Sequence, residues 1–284
     1  MKKITIYISS ILLSIFIISS CQEDEIIESG TSNSDQHLIA ENVFNDVGRI
    51  VEDAFIDNGV SKSCPDYTLI NADSSDLDTI IIDFGDGDPI DCLKYGKLRR
   101  GKIISTFTGK YRDPLSVITT TFDHYYVNNM WIQGERILTN NGGNSNGNVT
   151  FSIEVTGFDD DDNRIGARIG QEGQGTINWE SSRTREWISG YNTFENYDDD
   201  KYIVSGSSSG NSRSGQEFEV NITEDLLVDL SCLEDNSNRC LITSGEAELI
   251  PNGLSTRTIN YGNGECDCNY FITLNGTEYF IVVD

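Results

Sequence analysis

Seven cysteines are the most chemically specific residues of this 284-residue chain. Cys21 stands apart, next to an N-terminal apolar run. Cys64, Cys92, Cys232, Cys240, Cys266 and Cys268 form an even set, which in an exported chain reads as three disulfides. The expected pairs are Cys64–Cys92 and Cys240–Cys266, because a hairpin centred on Asn252 sets Cys240 across from Gly264; Cys232 then joins Cys268 through residues 233–239. The rival chemistry is a thiolate metal site at Cys266-Asp267-Cys268, disfavoured by an oxidising compartment and by the presence of only two histidines, His37 and His124. A second pattern is rich in oxygen ligands. Asp159, Asp161 and Asn163 alternate as in a calcium loop, but Gly166 comes two places late and Gly170 stands where the twelfth-position Glu belongs. Asp83, Asp86, Asp88 and Asp91 form a looser version.

The third pattern is basic. Lys97, Arg99, Arg100, Lys102, Lys110 and Arg112, with Lys94, fall in a stretch from Cys92 to Arg112 that has no acidic residue. Such a run either balances the charge of the rest of the chain or forms a patch for an anionic ligand such as an acidic glycan. If Arg100-Gly101 marks a turn, Lys102 shares a face with Ile104 and Thr106. Trp131, Trp179 and Trp187 with Tyr125 and Tyr126 either line a sugar-binding face or fill a core. Carboxylates are abundant enough for glycoside hydrolysis, yet no spacing puts two of them at a working separation. His124, in Asp123-His124-Tyr125, has no nucleophile elbow beside it and reads as structural.

Composition decides where these groups work. There are 20 basic against 46 acidic residues, a formal charge of −26, and Lys2 and Lys3 belong to a removable leader. A field of that sign repels nucleic acid and anionic lipid, so neither is an expected partner. The leader is Lys2-Lys3, an apolar run from Ile4 to Ile18, and small residues before Cys21, the layout of a secretory signal. Ile18-Ser19-Ser20-Cys21 looks like a bacterial lipobox. It implies cleavage before Cys21 and acylation, palmitate included, of that residue, with two or more chains sufficing for stable anchoring. The acidic Gln22-Glu23-Asp24-Glu25 resembles the surface-export signal of Bacteroidota lipoproteins. Residues 1–20 are thus read as signal peptide, 21–34 as an acidic flexible tether, and 35–284 as one domain.

From about Asp35 to Asn58, Ile39, Val43, Phe44, Val47, Ile50, Val51, Ala54 and Phe55 recur at three- and four-residue spacing. That predicts an amphipathic helix capped by Ser34 or Asp35 and stopped at Asn58-Gly59, with Glu41, Asp46, Arg49, Glu52 and Asp53 on its wet side and the apolar stripe against a sheet. Beyond Cys64-Pro65 the pattern changes to twelve short strand-like runs, with hairpin turns at Asn128-Asn129 and Asn275-Gly276. The last run, Tyr279 to Val283, is apolar on both parities and is expected at the sheet centre. Ile82-Asp83-Phe84-Gly85-Asp86-Gly87 and Ile259-Asn260-Tyr261-Gly262-Asn263-Gly264 repeat one strand-exit pattern. The predicted fold is mainly β: one N-terminal amphipathic helix packed on an antiparallel β-meander forming a sandwich or open barrel.

Several segments, among them Thr108-Gly109-Lys110-Tyr111-Arg112-Asp113-Pro114, Asn144-Ser145-Asn146-Gly147-Asn148-Val149-Thr150-Phe151 and Trp179-Glu180-Ser181-Ser182-Arg183-Thr184-Arg185-Glu186-Trp187, resemble a group of β-rich lipoproteins of Bacteroidota. That resemblance implies the same fold from the helix to the end and transfers no catalytic residue; the group has a short hairpin where this chain carries the acidic Phe158–Gly175 segment. The expected function is a non-catalytic binding or scaffold lipoprotein of the outer-membrane surface, with a glycan or an envelope protein as partner and no cofactor beyond calcium. The alternatives are a carbohydrate-active hydrolase, to be recognised by two carboxylates converging in a cleft, and an envelope assembly or secretion accessory.

Overall fold

The structure, a computed structural model, describes residues 30–56, 64–70, 78–87, 91–159, 161, 163–193, 198–233 and 240–282. The leader, Cys21, Asn58-Gly59 and Asp88 lie outside them. The helix α1 spans Ser32–Ile56, three residues earlier than its periodicity suggests, so Ser32–Ser34 belong to it and not to the tether. Its cap is Thr31, whose hydroxyl donates to the Asp35 carboxylate at 3.1 Å and whose carbonyl accepts from Asp35 N at 2.9 Å.

The strands are β1 (Asp66–Ile70), β2 (Asp78–Asp83), β3 (Cys92–Lys94), β4 (Lys97–Phe107), β5 (Val117–Val127), β6 (Met130–Gln133), β7 (Glu135–Gly143), β8 (Val149–Thr156), β9 (Ala167–Gln171), β10 (Gly175–Ser189), β11 (Lys201–Asn211), β12 (Glu217–Asp229), β13 (Ile242–Pro251), β14 (Arg257–Asn263), β15 (Asn269–Leu274) and β16 (Thr277–Val282). All are antiparallel and form one 16-stranded sheet whose path runs from β1 to β16. The mainly β fold with a single N-terminal helix is therefore as the sequence predicts. Both hairpin turns are there too: Asn128 and Asn129 have φ of 46° and 63°, Asn275 and Gly276 of 50° and 78°. The strand-exit repeat is real as well, since Ile82 and Phe84, like Ile259 and Tyr261, point inward, while Asp83 and Asn260 each accept from the glycine N two residues on.

Three local expectations are corrected. β16 is the end strand, paired only with β15, so residues of both its parities lose cover: Tyr279 and Phe280 are exposed, Phe280 lying against Phe271. The run from Met130 is broken at Gly134 (φ 118°) into β6 and β7. The segment Phe158–Gly175 contains β9, which resumes the line of β8: both pair with β10, and β6 and β7 pair with β9 and β8 on the other side. The described residues between β8 and β9 are thus pushed out of one long strand position, closed by the Phe158–Arg164 bridge.

The sheet curls around α1. Register shifts at Gly101, Gly206 and Gly245, with φ of 80°, 120° and 116°, are bulges that an L side chain would strain, and bulges bend a sheet. As a result most of the helix surface is buried: Leu38, Val43, Val47 and Ile50 are covered, but so are His37, Glu41, Asp46 and Arg49, and solvent reaches it mainly along Ile39, Asn42 and Asn45. The expected wet face faces inward-pointing arginines of the strands.

Three disulfides form, and the C-terminal pairing differs from the expected one: Cys64–Cys92, Cys232–Cys266 and Cys240–Cys268. The hairpin turns about Gly253, and the Gly245 bulge pairs Ser244 with Asn263, which carries Cys240 past Gly264 to the 266–268 segment. Cys240 meets Cys268, leaving Cys266 to Cys232. Both thiols of the imagined metal site are spent in these bridges.

Candidate functional site

β4, β5, β6 and β9 set Arg100, Tyr126, Trp131 and Gly170 in one row by their register. Strand alternation turns Tyr125, Ile132 and Ile169 into the core and leaves Tyr126 and Trp131 half-buried on the outer face. The Trp131 indole lies flat over Gly170, filling the space a side chain there would occupy. Each ring carries a guanidinium: Arg100 sits 3.9 Å from the Tyr126 centroid and Arg168 5.4 Å from that of Trp131. Cations over aromatic faces are held there by the ring quadrupole while their donors stay free to turn outward. Arg100 also reaches Asp91 at 3.2 Å and Asn129 at 3.3 Å, and Arg168 reaches Gln133 at 3.5 Å. Next to Tyr126 an open hollow of about 560 Å³ is lined by Arg100, Lys102, His124, Asp83, Asp86 and Asp123. Burial alone would raise the Asp83 pKa, but its pairing with Lys102 at 2.9 Å and the hydrogen bond from Gly85 N together hold the carboxylate below its ordinary range.

The basic stretch does not form one surface. Arg99 is fully buried, bound to Asp46 at 2.6 Å and to the Tyr125 hydroxyl at 2.7 Å, and Lys97 acts on the same Asp46 from the strand end. Lys110 sits on the loop after β4, and Arg112 donates to the Tyr191 carbonyl and lies 4.5 Å over Trp187, far from Arg100 along the sheet. Only Arg100 and Lys102 share the outer face with Tyr126 and Trp131. The other aromatics are core: Trp179 stacks on Phe44 at 5.6 Å and donates to His37 at 3.2 Å, Trp187 donates to Asp200 at 3.2 Å, and Tyr125 is buried. Arg168 was missed by sequence reasoning, although Ala167-Arg168-Ile169 already alternates as a strand does.

In the extruded loop the Asp159 carboxylate accepts from Asp161 N, Asn163 N and Asn163 Nδ2 at 2.9–3.1 Å, bonds that fold the loop and lower its pKa. Asp159, Asp161 and Asn163 are thus brought together as a self-capped turn. Among the described residues no three His, Cys, Asp or Glu side chains converge as a metal site would require. Arg164 ties the loop to Glu180 at 2.7 Å, and beneath it an open trough of about 500 Å³ crosses β10 to β13, with Glu180, Glu217 and Glu219 along it. Its acidity suits it to neutral or cationic ligands and not to anions.

The fold and this face define a class, a curled antiparallel sheet around a buried helix with a polar aromatic outer surface. Compared with protein families, with curated proteins and with solved structures, the chain has no match.

Proposed function

We propose that the chain is a lipid-anchored lipoprotein of the outer-membrane surface that binds acidic polysaccharide without catalysis. The observation that carries this reading is the Tyr126–Trp131 pair, two adjacent outward rings each backed by a guanidinium. Flat rings offer an apolar platform to a sugar face, and guanidinium forks bind carboxylate or sulfate groups bidentately. The anchor rests on the leader and on Cys21, and the negative charge of the whole chain confines polyanion binding at the surface to this small area.

The test is affinity electrophoresis in polygalacturonate, with a neutral glucan as control. The intact protein is expected to be retarded by the polyuronate at low salt and released as ionic strength rises. W131A and the double variant R100A/R168A should each lose most of the retardation. Equal mobility in both gels, or variants retarded as strongly as the parent, overturns the glycan reading. The anchor is tested separately: C21A should take up no alkyne fatty acid and should leave the membrane fraction.

A further inference from the structure

Inside the curled sheet, Glu41, Asp46 and Glu52 of the helix each meet an arginine from the wall, and Asp46 also meets Arg49 of its own helix. Glu41 meets Arg183 at 3.1 Å, Asp46 meets Arg99 at 2.6 Å and Arg49 at 2.9 Å, and Glu52 meets Arg185 at 2.9 Å. Arg136, on β7, is left over. It is 5 % exposed and, among the described residues, makes no hydrogen bond or ion pair. Its guanidinium lies against Gly48 in the middle of α1, where a Cβ would stand 2.8 Å from Nη2 and 3.0 Å from Cζ. Glycine inside a helix costs about 1 kcal/mol relative to alanine, so this position gives up helix stability to make room for the cation. An unpaired charge out of water is expensive, which makes a missing counter-ion the physical question here.

A void of about 70 Å³, partly open to solvent, adjoins Arg136, Arg183 and Arg185. Arg183 Nη1 and Arg185 Nε are both buried without an acceptor. The aliphatic lining is interleaved with the arginines along the sheet: Val155 stands beside Arg136 across β7–β8, Ile153 beside Arg183 across β8–β10 and Val204 beside Arg185 across β10–β11, while Glu41 and Glu52 line the void from α1. An unpaired guanidinium with branched aliphatic side chains directly beside it matches one chemistry. We propose that this void is a binding site for a short-chain monocarboxylate, with its carboxylate on the Arg136 fork and its alkyl chain along Val155 and Ile153. A planar carboxylate accepts two parallel N–H bonds from a guanidinium, which a spherical anion cannot do. The size admits a ligand of a few heavy atoms, such as propionate or butyrate. In its absence, burial pushes the Arg136 guanidinium pKa down, opposed only by the attraction of Glu52; a bound carboxylate supplies the second opposing charge.

The test is calorimetric melting and titration of the exhaustively dialysed protein with acetate, propionate and butyrate, against butanol, butylammonium, chloride and phosphate at matched ionic strength. A ligand that binds only the folded state raises Tm with concentration. The expected result is a rise with the carboxylates, larger for butyrate than for acetate, and none with butanol or butylammonium. R136M should melt at or above the parent temperature in ligand-free buffer, since it removes an uncompensated charge, and should lose the carboxylate response; R136Q replaces it if R136M does not fold. No carboxylate response in the parent, an equal response to chloride or phosphate, a retained response in the variant, or a ligand-free variant that folds but melts well below the parent would each overturn the proposal. The polygalacturonate experiment reads a different face of the sheet, so the two readings fail independently.

Discussion

Asp200 and Glu41 are both buried carboxylates, and their surroundings drive them in opposite directions. At Asp200 burial outweighs the Trp187 hydrogen bond and the Arg112 attraction and lifts the pKa to about 6. At Glu41 burial pulls upward too, but His37, Arg183 and the Tyr261 hydroxyl together hold the pKa at about 2. A raised folded pKa means the native state binds the proton more tightly, so the Asp200 contribution is complete below its unfolded value near 4 and is lost as pH rises to about 6. A lowered one means the reverse, so the Glu41 contribution is complete above pH 4.5 and is lost as pH falls towards 2. D200N should therefore flatten the decline in Tm between pH 4 and pH 6; an unchanged slope would show that another group titrates there. E41Q should flatten the acid limb below pH 4.5 while lowering Tm at neutral pH, because Arg183 loses its charged partner. At this scale the sequence makes types legible and roles much less so. Trp131 and Trp179 look alike along the chain, and only their parity on curled strands sends one outward and the other onto Phe44.

α1 shows where pattern reading stops. Its apolar stripe was legible from spacing, and so was its contact with a sheet. The burial of its charged side was not, because that depends on a sheet that closes round it, and the matching charges sit at inward positions of distant strands. The hint was in β10, where Trp179, Ser181, Arg183, Arg185 and Trp187 alternate in phase, two arginines among core residues. Val47→Asp places a carboxylate at a site already without solvent and should cost upward of about 4 kcal/mol, read as lost helicity and Tm by circular dichroism. The extruded loop should behave in the opposite manner. Replacing residues 158–165 by a single glycine shortens a surface excursion between backbones already in contact at Gly157 and Gly166, and Tm should change by no more than a few degrees. A collapse of Tm in that deletion would mean the loop supports the sheet.

Across the whole molecule, the disulfides stand where the sheet path ends. Cys232–Cys266 and Cys240–Cys268 tie the end of β12 and the entry to β13 to the β14–β15 connection, closing separations of 34 and 28 residues. Bridges of that span add about 3–4 kcal/mol each when unstrained. Non-reducing peptide mapping should return these two pairs and Cys64–Cys92; a Cys240–Cys266 peptide would refute the register derived from the Gly245 bulge. The number of bridges could be read from cysteine count, but their partners could not, since one bulge moves the whole C-terminal strand by enough to exchange them. The enclosed helix also sets an order of events in time. Glu41 bonds to Tyr261, 220 residues further along the chain, and His37 lies beside the same ring. α1 thus leaves the ribosome long before β14, and its charged side waits for that strand. Contacts at such separation make folding slow. The helix carries its own carboxylates through that interval in water, where they are solvated and keep it from clumping, and the arrival of β4, β10 and β14 turns them from solubilising groups into internal locks.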